Sequence, residues 1–323
     1  MTYQTRRLLS DDQYPLMLHE WLPEDRQCKA VVLISHGMAE HAARYDRLAQ
    51  QLNLHGFAVA ALDQRGHGQS SLGQTQGHFA DKDGWRKVTD DIALLLREGQ
   101  ALAPGKPVFL LGHSMGSYIV QGFLLRHRAE LAGVVLSGSN AHPSALSRFG
   151  RAAATLEGRI RGADQPALGI SKLSFGQFNK AFRPARTEFD WLSRDAAEVD
   201  RYVADPMCGF NCTARLWQDL FGGLLQIADP RELNRIPHAL PVLIIGGSAD
   251  PVSAGNGLVR LQRRLQDAGL SQVSLRLYDD ARHEILNETN RDQVTAELIE
   301  WLDTQLLATS KTANSTESPD VQA

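Results

Sequence analysis

Short apolar runs and longer stretches of three- and four-residue apolar spacing alternate through most of the chain. The runs at 29–35, 57–62, 108–111, 131–137 and 241–246 are nearly continuous, as strands covered on both faces require. Between them lie helical stretches: Tyr45, Leu48 and Leu52 with Gly56 placed to cap them, Trp85 through Val88, Ile92 and Leu95 to about Gly99, and a segment from Met115 onward. Strand following helix in this order predicts right-handed crossovers and a mostly parallel sheet. Residues 3–9 and 15–22, joined by the turn Ser10-Asp11-Asp12-Gln13, read as an antiparallel edge. The rhythm breaks at about 140 and resumes at 241, and two stretches inside the break, 166–178 and 216–227, are notably apolar. A helix over about 256–267, a strand over 272–278 and a last helix from about Asn290 complete the pattern. Asn290 and Gln293 have the spacing of a capping box, with Val294, Leu298 and Leu302 on one face. Residues 310–323 are rich in Ser, Thr, Asn and Asp and are expected to be disordered. The expected organisation is one domain over 1–309, with an insertion over about 140–240, and a tail over 310–323.

Composition narrows the partners. With 323 residues, 43% hydrophobic and 22% charged, the chain can bury a large α/β core. A net charge of −3 and scattered arginines give no electrostatic case for nucleic acid. The first 21 residues hold no apolar core of a secretory signal, and no stretch approaches the roughly 18 apolar residues of a spanning helix. Cys28, Cys208 and Cys212 form no disulfide framework, which suits a reducing cytoplasm. Cys208-x-x-x-Cys212 lacks a second ligand pair, and His36, His41, His67 and His113 lie in separate loops without i, i+4 pairing. No metal is therefore expected. Arg65-Gly66-His67-Gly68 does not complete a dinucleotide fingerprint and reads as a tight supporting loop, so no cofactor is expected either.

The chemistry concentrates at Gly112-His113-Ser114-Met115-Gly116, between a buried run and a helix. A serine on a sharp strand-to-helix turn needs small residues two places either side, and the new helix aims its first N–H groups at the same spot. An activated serine needs a base, and the base an orienting acid. His283 is the sole histidine beyond residue 250 and sits in a loop just past a strand end. For the acid, Asp250 leads, because it directly follows a buried strand, on the edge where open α/β sheets place ligands. Asp279 and Asp280 are rivals. Backbone N–H donors for a developing oxyanion are expected from Met115, next after the serine, and from Met38 in the loop His36-Gly37-Met38.

Five motifs in order carry a resemblance: residues 36–41, Asp63-Gln-Arg-Gly-His-Gly-Gln-Ser70, Gly112 to Gly116, 247–252 and 282–288. Together they resemble the monoacylglycerol lipase and lysophospholipase-like branch of the α/β-hydrolases, often grouped with the serine aminopeptidases, over about residues 15–307. The resemblance implies an α/β-hydrolase fold: a mostly parallel sheet of about eight strands, helices on both faces and an inserted helical cap. It also implies a Ser114–Asp250–His283 triad, an oxyanion hole at Met38 and Met115, and hydrolysis of a small ester or lipid through an acyl-enzyme, without cofactor. Where the family often has glycine, this chain has Ala39, which weakens any transfer of fine substrate geometry. Glu40 and Arg44 read either as contacts for a glycerol-like head group or as a surface i, i+4 ion pair. The cap's apolar stretches are open to three readings: an acyl pocket, peripheral membrane contact, or ordinary packing. An aminopeptidase or amidase would need an acidic cap residue for the substrate amine, with Glu157, Glu188 and Asp190 as candidates. A non-catalytic receptor would usually show a broken triad.

Overall fold

The computed structural model describes residues 1–24, 27–141, 143–253 and 255–316. In chain order its strands are β1 (Thr2–Leu9), β2 (Pro15–Leu22), β3 (Ala30–Ser35), β4 (Phe57–Asp63), β5 (Val108–His113), β6 (Gly133–Ser137), β7 (Val242–Gly247) and β8 (Val273–Tyr278). They form one sheet in the order β1-β2-β4-β3-β5-β6-β7-β8. β1 and β2 pair antiparallel from Thr2 against Leu22 to Leu9 against Pro15, and β2 is antiparallel to β4. The remaining pairings are parallel. This is the sheet that the alternation of apolar runs and helices predicts.

The helices are α1 (Asp46–Leu54), α2 (Gly84–Leu102), α3 (Met115–Arg126), α4 (Ser144–Arg161), α5 (Leu168–Phe178), α6 (Ala196–Ala204), α7 (Ala214–Gln226), α8 (Pro230–Leu233), α9 (Gly257–Asp267) and α10 (Arg291–Thr316). Successive strand residues point to opposite faces, so β3 and β5 feed two separate cores. Val31, Leu33, Val108 and Leu110 pack with α2, α3 and α9, whereas Val32, Ile34, Phe109 and Leu111 pack with α1 and α10. Each such side chain, taken from water, contributes about 1.5–3 kcal/mol. α3 is buried from Met115 to Leu125, because it lies between the sheet and α7.

Two expectations need correction. α10 continues through 310–316, so the first part of the expected tail is helical; residues 317–323 lie outside the described residues. A Ser/Thr/Asn-rich composition removes an apolar face but leaves a helix its backbone hydrogen bonds. The Asn290–Gln293 capping box does not form: Asn290 Oδ1 accepts from Arg194 Nη2 at 3.3 Å, and Gln293 Nε2 donates to Glu297 at 2.9 Å.

Between β6 and β7 run α4 to α8, and the two apolar stretches of this segment have different fates. In 216–227, Leu216, Trp217, Leu220 and Leu224 are buried with Trp85 in the core, so this stretch is packing. In 166–178, Leu168, Ser171, Lys172 and Phe175 line the cavity described below. A further apolar surface lies on a helix that the sequence did not single out. α4 turns its small residues Ser147, Gly150, Ala154 and Gly158 inward, and a Cβ on Gly150 would stand 2.5 Å from the Phe221 ring. Leu146, Phe149, Leu156 and Ile160 are left 57–74% exposed. No described helix is long and apolar enough to cross a membrane.

Candidate active site

Ser114 joins β5 to α3 with φ 51° and ψ −121°, a conformation that costs a non-glycine residue about 1–3 kcal/mol. The surroundings hold it there. Its N–H donates to Ser137 O at 2.9 Å, and its carbonyl accepts from the N–H and Oγ of Ser117 at 2.9 and 2.6 Å. The flanking glycines are steric necessities: a Cβ on Gly112 would lie 2.6 Å from Gly116 O, and one on Gly116 2.0 Å from Ser35 O.

Asp250 follows β7 and His283 follows β8, on the same edge of the sheet as Ser114. His283 Nδ1 lies 3.1 Å from both carboxylate oxygens of Asp250, and Asp250 Oδ1 also accepts the Val252 N–H at 2.9 Å. Both side chains are almost wholly buried. The rivals are set aside by position: Asp279 and Asp280 are exposed, and the Asp280 backbone N–H donates to Ser248 Oγ at 2.9 Å. Built Cβ positions measure how closely the pieces converge. One on Gly37 would lie 3.3 Å from Ser114 Cβ and from His113 Cδ2, and one on Gly138 3.0 Å from His283 Cε1. Ser114, His283 and Met38 line one cavity of about 690 Å³. Met115 is buried with its side chain in the core, which leaves only its backbone for chemistry.

The loop carrying Met38 is pinned on both sides. Gly37 N–H donates to Glu40 Oε1 at 2.5 Å, and the Ala39 carbonyl accepts from Tyr202 OH at 2.9 Å and Gly209 N–H at 3.0 Å. Ala39 has φ 54°, which glycine would adopt more readily. The surface ion-pair reading of Glu40 and Arg44 is wrong in its setting. The Arg44 side chain is only 11% exposed and reaches Glu40 at 2.7 Å and both oxygens of Glu284 at 2.7 Å. Burial pushes both carboxyls up, but the charge and hydrogen bonds of Arg44 at Glu284, and Arg44 together with His113, His36 and the Gly37 N–H at Glu40, hold them below the usual range. Glu284, Trp191 and Leu192 are the site residues that sequence reasoning missed. His283 N–H donates to Trp191 O at 3.4 Å, Glu284 N–H to Leu192 O at 2.7 Å, and the Trp191 ring lies 5.1 Å from the imidazole. Of the upstream histidines weighed as ligands, His36 and His67 hydrogen-bond to the backbone oxygens of Gly37 and Arg65, and His113 to Ser137 Oγ. Among the described residues, His41 is the one of these four that falls in a group of three side chains able to share a metal ion, with Asp205 and Cys208.

Burial disfavours the imidazolium of His283, but the charge and hydrogen bond of Asp250, with Glu284 and Glu40 nearby, raise its pKa above the ordinary histidine value. Burial, then the adjacent His283, pull His113 down to about 4, so it stays neutral near pH 7. A histidine acting as base must be unprotonated. The acidic limb of kcat/KM is therefore expected to have its midpoint above pH 6.5. A pH profile with the limb well below that value would count against His283 as the base.

A serine on a strained strand-to-helix turn, with a histidine and a paired aspartate at later strand ends of this sheet, defines an α/β-hydrolase. The chain belongs to the serine aminopeptidase family (S33), whose profile matches residues 26–290. It is 30% identical over 285 residues to a monoacylglycerol lipase of Mycolicibacterium smegmatis, covering 87% of this chain and 90% of that protein. It is 31% identical over 317 residues to the monoglyceride lipase of Homo sapiens, covering 94% and 91%. Among solved structures, a thermostable carboxyl esterase of Bacillus coagulans in complex with glycerol matches with a TM-score of 0.86 at 26% identity, over 95% of this chain and 99% of that one.

Proposed function

We propose that this carboxylic ester hydrolase cleaves monoacylglycerols or lysophospholipids through an acyl-enzyme on Ser114. Ser114 Oγ attacks the ester carbonyl while His283 Nε2 takes its proton, and Asp250 holds the imidazole and stabilises its charge. The C–O bond to the alcohol breaks as the imidazolium protonates the leaving oxygen. Water, deprotonated by the same imidazole, then releases the fatty acid and regenerates the serine. The N–H groups of Met38 and Met115 serve the oxyanion, each worth about 2.7–4 kcal/mol. The observation that carries this reading is the placement of His283: its Nδ1 is held by both oxygens of Asp250 while its ring borders the cavity that Ser114 lines. The domain reading that goes with it is one unit over 1–309, with 140–240 as a cap over the serine.

Lipid substrates are supported by the cavity wall, which Leu168, Phe175, Trp191 and Leu192 line together with Glu40 and Glu284, and by the names of the two relatives. The exposed apolar face of α4 supports delivery from a lipid surface, since residues 144–183 carry seven basic and two acidic residues in a chain of net charge −3. The aminopeptidase alternative has less support. Glu157 accepts N–H groups at the start of α5 and Asp190 those of Arg186 and Thr187, so Glu188 alone of the three candidates lines the cavity.

A substrate panel tests these points together: p-nitrophenyl esters, monoacylglycerol, lysophosphatidylcholine and aminoacyl anilides. Monoacylglycerol or lysophospholipid is expected to give the highest kcat/KM, and preference for anilides would overturn the lipase reading. Replacing Leu146, Phe149, Leu156 and Ile160 by serine is expected to preserve the rate on soluble esters and to lower it on monoacylglycerol in vesicles. Equal rates on vesicles would remove the membrane role of α4.

A further inference from the structure

Beside the serine cavity, the fold brings together three side chains that the ester chemistry does not use. His41 follows the loop that carries Met38, whereas Asp205 and Cys208 lie in the turn after α6. His41 Nε2 is 2.9 Å from Asp205 Oδ2, and these atoms and Cys208 Sγ all lie within 4.8 Å of one another. A tetrahedral zinc ion, at roughly 2.0–2.3 Å from N, O and S ligands, holds them about 3–4 Å apart. The three therefore need only a small closure to share one ion. The turn is already shaped for it: Met207 N–H donates to Asp205 Oδ1 at 2.8 Å, and Cys208 N–H to Asp205 O at 3.0 Å.

The local charge favours a cation. Glu40, Glu284 and Asp205 supply three carboxylates, and the Arg44 guanidinium among them is already engaged by Glu40 and Glu284. The His41 side chain is 13% exposed and that of Asp205 30%, which leaves a path for an ion and a solvent ligand. Thiolate and imidazole together select zinc-class metals over magnesium or calcium. The cysteine spacing that invites a metal reading in the sequence is not the one the fold uses. Cys212 packs against the backbone at Gly77, and the partners of Cys208 come from Asp205 and from His41 in a distant part of the chain.

We propose that His41 Nε2, Asp205 and Cys208 Sγ bind one divalent transition-metal ion of the zinc class, with solvent as fourth ligand. Binding forms the sulfur–metal bond as the thiol proton leaves to solvent, and the proton of the His41–Asp205 hydrogen bond moves to His41 Nδ1, freeing Nε2 to ligate. The ion would tie the turn after α6 to the loop around Ala39, whose carbonyl Tyr202 and Gly209 already hold.

Cobalt titration of the full chain, stripped with chelator, tests this without reference to ester hydrolysis. One equivalent of Co²⁺ is expected to give tetrahedral d–d bands and a thiolate-to-cobalt charge-transfer band. Zn²⁺ should displace both and raise Tm. Cys208→Ser should abolish the charge-transfer band and the zinc-dependent rise in Tm, whereas Cys212→Ser and Cys28→Ser should retain them. Asp205→Asn should weaken Co²⁺ binding by at least about tenfold, a reading that stands even if Cys208→Ser does not fold. Absence of a thiolate band in the wild type, its survival in Cys208→Ser, or unchanged affinity in Asp205→Asn would each overturn the site, leaving a hydrogen-bonded His–Asp pair beside a buried thiol.

Discussion

Ser114→Ala is expected to lower kcat toward every ester by about 10⁶-fold with little change in KM, because the members of such a unit act together. His283→Ala should lose about as much, and the double variant little more than either. Asp250→Asn should lose about 10⁴-fold, since the imidazole is then held in the wrong tautomer. The residual rate comes from binding and the oxyanion donors, which none of these changes touches. Steady-state kinetics on one p-nitrophenyl ester checks all four. A Ser114→Ala enzyme within about tenfold of wild type would show that another nucleophile acts.

Arg44→Met is expected to cost about 3–5 kcal/mol of stability, the range for removing one partner from a buried ion pair. The methionine fills much of the volume but leaves Glu40 and Glu284 as uncompensated carboxylates at 4% and 6% side-chain exposure. The sign of the pH dependence follows. In the wild type both carboxyls lie below their ordinary value, so their contribution is fully present above the unfolded pKa and is lost only as pH falls through the lower folded values. In the variant, burial acts without the guanidinium and raises both, so protonation relieves the strain. The gap between variant and wild type should therefore narrow from pH 8 to pH 5. Denaturant unfolding at the two pH values measures it, and a gap independent of pH would mean the carboxylates are not the source of the loss. Because Glu40 accepts the Gly37 N–H, the same variant should also disturb the loop that carries Met38.

What was legible in the sequence depended on how locally each feature is encoded. A strand buried on both faces, such as β3 or β7, has no polar position to disguise it, so its apolar run stands out. Asp250 stood out just past such a run, and His283 as the sole histidine beyond residue 250, in the loop after the partly exposed β8. Features made by distant segments did not. Glu284 sits next to His283, yet its role comes from Arg44, which is 240 residues away. Arg65 looked like part of a tight loop, and the loop is tight, but nothing nearby announces that Asp12 and Asp91 enclose its guanidinium. α4 misleads in another way: its glycines and alanines, rather than its leucines, form the packed face, because α7 approaches closely enough to exclude anything larger. The group at His41, Asp205 and Cys208 was hidden by the same distance in sequence.

The covalent intermediate proposed on Ser114 can be observed directly. The enzyme is mixed rapidly with a p-nitrophenyl ester, quenched in acid within one turnover, and examined by intact-mass and peptide analysis. A burst of p-nitrophenolate stoichiometric with enzyme, and a mass increase of one acyl group on the peptide containing Ser114, is the predicted result. Full hydrolysis without any adduct under conditions where deacylation is slow, or an acyl group on a different residue, would contradict it.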